Sequence, residues 1–219
     1  MAVLVKICGV TSAEAADATL RAGADMAGLV FNPKSPRHLA PEQAASLAAR
    51  MRGRVRLVAL LCDPADEALS AILDAIRPDF LQLHGGETAA RVGAIRSRFG
   101  VPVIKVLSIA EPADLAGVAA YEDAADMLLF DARPPAGASR EGGHGVAFDW
   151  QILRGRRFSK PWLLAGGLTP DNVGRALAVS EAPGVDVSSG VETAPGIKSP
   201  EKIAAFVSAA RNARVGAAA

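Results

Sequence analysis

Gly184-Val185-Asp186-Val187-Ser188-Ser189-Gly190-Val191-Glu192, read with the earlier Leu163-Leu164-Ala165-Gly166-Gly167-Leu168-Thr169-Pro170, decides how this chain folds. Each stretch is a short apolar run that ends abruptly in small residues. Glycine lets backbone amides approach an anion without a side chain in the way, and a helix start just beyond adds partial positive charge. Two such turns in succession near the C-terminal end match the place where a (β/α)8 TIM barrel binds phosphate, in the loops after its seventh and eighth strands.

Working outward, short apolar runs alternate with alanine-rich amphipathic segments along the whole chain. The expected strands are Val3–Ile7, Met26–Val30, Val55–Leu61, Phe80–Leu83, Val103–Leu107, Met127–Phe130, Trp162–Ala165 and Val185–Val187. Helices are expected over Ser12–Ala22, Pro41–Ala49, Ala65–Ile76, Glu87–Phe99, Pro170–Ala178 and Pro200–Ala213. Ser12, and Thr169 and Ser199 ahead of prolines, serve as start signals, and Gly100 as a stop. Residues 110–121 read as a short or irregular helix and 146–155 as a brief helical turn. Strictly alternating strands and helices with short connections imply a parallel sheet. No linker interrupts the pattern, so residues 1–219 are expected to form one barrel domain, with 214–219 a frayed tail. An open doubly wound sheet is disfavoured, because Cys8-Gly9-Val10-Thr11 lacks the G-x-G-x-x-G spacing after the first strand.

Composition narrows the function. The 219 residues carry 24 basic and 23 acidic side chains, a net charge of +1, which argues against a nucleic-acid partner. Arg50, Arg52, Arg54 and Arg56 cluster at an expected helix end, where cations complement the helix dipole. Half the chain is hydrophobic and only 5% aromatic, as suits buried parallel strands wrapped by helices. Two cysteines, Cys8 and Cys62, are too few for a disulfide framework. With no secretory leader and no apolar run long enough to span a bilayer, a cytoplasmic protein free of membrane partners is expected.

Barrel enzymes keep their chemistry at the carboxyl ends of strands. Cys8 ends the first strand with Lys6 on the same face, so the thiol is either a base or nucleophile beside a cation or a small buried hydrophobe. Asp131 ends the sixth strand, as a desolvated general acid or the opening of an Asx turn. Asp186 either touches substrate or pairs in the barrel interior with Lys6 or Lys105. Arg37, in the proline-stiffened Asn32-Pro33-Lys34-Ser35-Pro36-Arg37-His38, suits bidentate binding of a carboxylate or is an ordinary loop arginine. Gln82 and His84 share one face at the end of the fourth strand, as substrate contacts or hydrogen-bonded core residues. Asp131–Gly145, which ends Gly142-Gly143-His144-Gly145, has no apolar periodicity and reads as a long loop over the strand ends. No His, Cys and carboxylate set has metal-ligand spacing, so no metal is expected.

Lys6-Ile7-Cys8-Gly9-Val10-Thr11, Gly28-Leu29-Val30-Phe31, Ser35-Pro36-Arg37, Leu81-Gln82-Leu83-His84-Gly85, Phe130-Asp131, Phe148-Asp149-Trp150, Ala165-Gly166-Gly167-Leu168 and Asp186 to Glu192 together resemble the phosphoribosylanthranilate isomerase family, in that family's order. The resemblance implies a cofactor-free Amadori rearrangement in tryptophan biosynthesis. It gives Cys8 the role of base, Asp131 that of acid, Arg37 the anthranilate contact, and the turns at Gly166, Gly167, Ser189 and Gly190 the phosphate. Asp186, Gln82 and His84 remain candidate substrate contacts. His144 departs from the small hydroxyl residue expected there. The expected ligand is a phosphorylated small molecule, and the protein a monomer or homodimer. Two alternatives stand beside it. Another phosphate-binding barrel, such as a pentose-phosphate epimerase, needs histidine and acidic metal ligands at several strand ends, and only His84 is so placed. A silent phosphometabolite-binding barrel has no use for Cys8 and Asp131.

Overall fold

A computed structural model of the chain describes residues 2–133 and 147–213. The expected loop up to Gly145 and the expected tail from 214 lie almost wholly outside the described residues. Eight parallel strands close into a barrel: β1 (Leu4–Cys8), β2 (Met26–Val30), β3 (Arg56–Leu61), β4 (Phe80–Leu83), β5 (Val103–Ile109), β6 (Met127–Ala132), β7 (Trp162–Leu164) and β8 (Gly184–Val187), with β8 hydrogen-bonded back to β1. Helices α1 (Ala13–Arg21), α2 (Pro41–Met51), α3 (Asp66–Ile76), α4 (Ala89–Phe99), α5 (Val118–Glu122), α6 (Val173–Ser180) and α7 (Pro200–Asn212) are the helices among the described residues. The fifth is irregular, as expected: Pro112–Gly117 is a 3₁₀ turn that runs into the five residues of α5.

Strand alternation divides the buried side chains in two. Met26, Val58, Ile104, Val106, Met127 and Leu129 fill the barrel interior, while Val5, Ile7, Leu57, Leu81, Leu128 and Phe130 pack outward against the helices. Local signals set most helix boundaries. Ser12 Oγ accepts from the Ala15 amide, Ser199 Oγ accepts from the Lys202 amide ahead of Pro200, and Gly100 ends α4 in the left-handed conformation. Two expected starts are displaced. The helix expected from Glu87 begins at Ala89 with Thr88 as its cap, and the Glu87 side chain is engaged by Lys105. The helix expected from Pro170 begins at Val173, because Asn172 holds residues 167–172 in a turn. Its Oδ1 accepts from the Thr169 amide at 2.8 Å and its Nδ2 donates to the Gly167 carbonyl at 2.9 Å. A hairpin that the sequence did not announce, β9 (Glu192–Ala194) and β10 (Ile197–Lys198), follows β8.

At the end of the barrel remote from the glycine turns, three aspartates stitch neighbouring strands together. Asp25 Oδ2 accepts from the Val5 amide at 2.7 Å, Asp79 Oδ2 from Leu57 at 2.7 Å, and Asp126 Oδ2 from Val103 at 2.9 Å. In each case the aspartate amide donates back to the carbonyl of the same residue. The β1–β2, β3–β4 and β5–β6 pairs are therefore each closed by a two-way latch. Pro183 stands before β8 where a fourth aspartate would be, and β7 meets β8 through one register pair, Leu164 and Val185. Replacing Asp79 with Ala orphans the Leu57 amide, and should lower unfolding stability by about 1–3 kcal/mol with catalysis unchanged. A urea midpoint equal to wild type would refute the latch.

Candidate active site

The interior face of β1 carries Lys6 and Cys8 toward the catalytic end of the barrel. Lys6, wholly buried, donates to Asp186 Oδ1 at 2.9 Å across the β1–β8 pairing. Of the two partners expected for Asp186, the structure selects Lys6. Lys105 has the parity of Val103 and Leu107 and faces out of the barrel, where it pairs with Glu87 at 2.6 Å and donates to the Gly85 carbonyl. Gly28 leaves the room that Cys8 and Lys6 need: a Cβ there would stand 3.0 Å from Cys8 Sγ and 3.3 Å from Lys6 Nζ.

Burial pulls the Lys6 ammonium down, but Asp186 and Cys8 more than reverse it and leave it above the ordinary lysine value. Burial pushes the Cys8 thiol up, and Lys6 and Lys198 oppose this without cancelling it. The neighbouring cation therefore does not by itself make a thiolate in the free protein. The Cys8 thiol should accordingly ionise above the ordinary thiol range, read from the pH dependence of its alkylation by iodoacetamide in a Cys62→Ser background. Alkylation that levels off below that range would show a thiolate preformed beside Lys6.

Asp131 lies inside β6, which continues through Ala132, so the Asx-turn reading gives way to a carboxylate on the strand itself. Its Oδ1 accepts from the Ala132 amide at 2.8 Å, and its Oδ2 stands 3.4 Å from His84 Nε2. That approach is an ion-pair distance rather than a hydrogen bond, and the buried His84 Nε2 has no hydrogen-bond partner among the described residues. Gln82, 1% exposed, likewise has an unpartnered Oε1 among them. Asp186 interacts electrostatically with Cys8 on one side and with Asp131 and His84 on the other. The acid and base candidates thus share a neighbour: β7 and β8 separate their strands on the short arc of the ring, so they are not diametrically opposed.

Arg37 is 4% exposed and its fork closes on the chain itself. Nε donates to Glu192 Oε1 at 2.7 Å and Nη2 to Glu192 Oε2 at 2.8 Å. Lys198 Nζ donates to the same Oε1 at 2.8 Å and to the Ser188 carbonyl at 2.9 Å, while Ser188 Oγ donates to the Cys8 carbonyl at 3.1 Å. Burial raises the Glu192 carboxyl, but Arg37 and Lys198 outweigh it and hold the group below its usual value. Glu192, Lys198 and Glu87 were not singled out from sequence. A lysine and a glutamate six residues apart around Pro195-Gly196 were the available signal.

The two glycine turns touch. Gly166 and Gly167 take φ of +87° and +63°, and a Cβ on Gly190 would fall 1.8 Å from the Leu168 carbonyl oxygen. Ser189 and Gly190 open a 3₁₀ turn, Ser189–Val191, so the start of that turn lies against the Gly166–Leu168 loop. His144 lies outside the described residues. Among those residues, no three His, Cys, Asp or Glu side chains form a metal-binding group, and no helix is long and apolar enough to cross a membrane.

The model of the N-(5'-phosphoribosyl)anthranilate isomerase family matches residues 5–209. The chain belongs to that family. The phosphoribosylanthranilate isomerase of Paramagnetospirillum magneticum is 54% identical over 98% of this chain and 100% of its own length. The crystal structure of the isomerase from Thermotoga maritima superposes with a TM-score of 0.86 at 32% identity, over 96% of this chain and 99% of that one. A further isomerase structure, in complex with reduced 1-(o-carboxyphenylamino)-1-deoxyribulose 5-phosphate, has a TM-score of 0.82 at 31% identity, over 96% and 99% of the two chains. Phosphoribosylanthranilate isomerase thus accounts for both the barrel and the order of the motifs along it.

Proposed function

We propose that this isomerase of tryptophan biosynthesis converts N-(5'-phosphoribosyl)anthranilate to 1-(2-carboxyphenylamino)-1-deoxyribulose 5-phosphate with Asp131 as acid and Cys8 as base. The Asp131 carboxyl gives its proton to the ring oxygen as the C1–O bond breaks and the anilino nitrogen forms a protonated Schiff base. The Cys8 thiolate then takes the C2 proton. The C2–H electron pair becomes the C1–C2 double bond, the nitrogen recovers its own pair, and an enolamine results. Protonation at C1 with loss of the C2 hydroxyl proton yields the ketone. Hydrogen has moved from C2 to C1 within one molecule, so no external oxidant or reductant enters.

What carries this reading is Asp186: it pairs at 2.9 Å with Lys6, on the Cys8 face of β1, and acts electrostatically on both Cys8 and Asp131, so the two groups lie around one carboxylate. The touching turns at Gly166, Gly167, Ser189 and Gly190 hold the phosphate, and the fixed phosphate sets C1, C2 and the ring oxygen in register. Gln82 Oε1 and His84 offer contacts to the sugar, and Arg37 to the anthranilate carboxylate. The enzyme works as one barrel domain in the cytoplasm, as a monomer or homodimer.

Mixing the purified protein with freshly made phosphoribosylanthranilate should quench anthranilate-type fluorescence at a rate proportional to enzyme concentration. A decay no faster than spontaneous breakdown would end the proposal.

A further inference from the structure

Arg37 is the one cation proposed to meet the substrate's aromatic carboxylate, yet two of its three nitrogens are already engaged by the protein. Glu192 holds Nε and Nη2 from the β9–β10 hairpin, 155 residues along the chain. Among the described residues, only the Nη1 edge remains without a partner. The carboxylate that takes the fork is itself fixed. Lys198, with a fully buried side chain, reaches Glu192 Oε1 at 2.8 Å and is anchored by the Ser188 carbonyl at 2.9 Å and Ser188 Oγ at 3.3 Å. Two cations thus share one anion, and burial, opposed but not cancelled by Glu192, holds the Lys198 ammonium below the ordinary lysine value. The Arg37 stem packs over the bare backbone of Gly9, its Cδ 2.4 Å from where a Cβ there would stand. Holding a long side chain in one geometry before the ligand arrives removes ordering entropy from the binding step.

We propose that Glu192 and Lys198 are positioning residues that fix Arg37 by its Nε–Nη2 edge, leaving the Nη1 edge for the substrate's aromatic carboxylate. The device also ties carboxylate recognition to the phosphate turn, since Ser188, which anchors Lys198, directly precedes the proposed phosphate residues Ser189 and Gly190. The inference rests on the assignment of Arg37 to that carboxylate.

The test compares two stable ligands: the reduced product analogue, and its counterpart with phenylamine in place of 2-carboxyphenylamine. Inhibition constants for both are measured on wild type, Glu192→Gln, Lys198→Gln, the charge-preserving Glu192→Asp, and Arg37→Ala. The Gln variants should bind the carboxylate-bearing ligand roughly 10- to 100-fold more weakly. The carboxylate-free ligand should bind within about threefold of wild type. Glu192→Asp should recover part of the loss. Equal losses on both ligands would make the pair merely structural, and no loss on either would make it irrelevant. Both results overturn the proposal, as would failure of all three variants at Glu192 and Lys198 to fold. Arg37→Ala separates the layers: if it spares carboxylate discrimination, the assignment of Arg37 itself falls. If it abolishes discrimination while the Gln variants keep it, only the positioning role falls.

Discussion

Asp131→Asn should lower kcat/KM by roughly 10²- to 10⁴-fold while leaving the barrel folded. The amide has the size and shape of the carboxyl group, and its oxygen can still accept from the Ala132 amide, which stands 2.8 Å from Oδ1. On the other side, where Oδ2 faces His84 Nε2 at 3.4 Å, the amide nitrogen meets a ring nitrogen that can accept when neutral. No buried group is orphaned, so the thermal midpoint should stay near wild type. What the amide lacks is a proton it can release to an alkoxide leaving group. Ring opening then depends on water, and the defect should appear mainly in kcat, because ground-state contacts survive. Steady-state fluorescence assays on the purified variant, beside its melting curve, decide the matter. A folded variant with turnover within a few-fold of wild type would exclude Asp131 as the acid.

Cys8→Ser should produce a loss of the same order, roughly 10²- to 10⁴-fold, for a different reason. The hydroxyl is smaller than the thiol and sits beside the Lys6 ammonium, which can donate to it, so the site tolerates the exchange structurally. Its acidity, however, is far too weak for the alkoxide to be populated, and the C2 proton has no acceptor. Wild-type turnover would transfer the base role to another group.

Much of the fold was legible because its rules are local. Eight apolar runs with capped helices between them specify a parallel barrel, and Ser12, Ser199 and Gly100 behave as their chemistry predicts. Parity was harder to read. In a strand buried on both faces every position is apolar, so alternation does not say whether Lys105 looks in or out, and it looks out to Glu87. The catalytic candidates were visible because each follows an apolar run at the carboxyl-terminal end of its strand. The Arg37–Glu192–Lys198 triad was not, because β9 and β10 are only three and two residues long, too short for any periodicity, and its contacts join chain ends far apart. The three latching aspartates left a signal that went unread: Asp25, Asp79 and Asp126 each stand immediately before an even-numbered strand.

The single register pair between β7 and β8, without an aspartate latch, makes this the seam of the cylinder. It is also the junction from which both glycine turns emerge, so a phosphoryl group seated across them, as proposed, would supply from outside the bond that the polypeptide omits. Amide hydrogen exchange along Trp162–Leu164 and Gly184–Val187 would then slow on ligation more than it does along the latched pairs, and the substrate would act as the last stave-hoop of its own container.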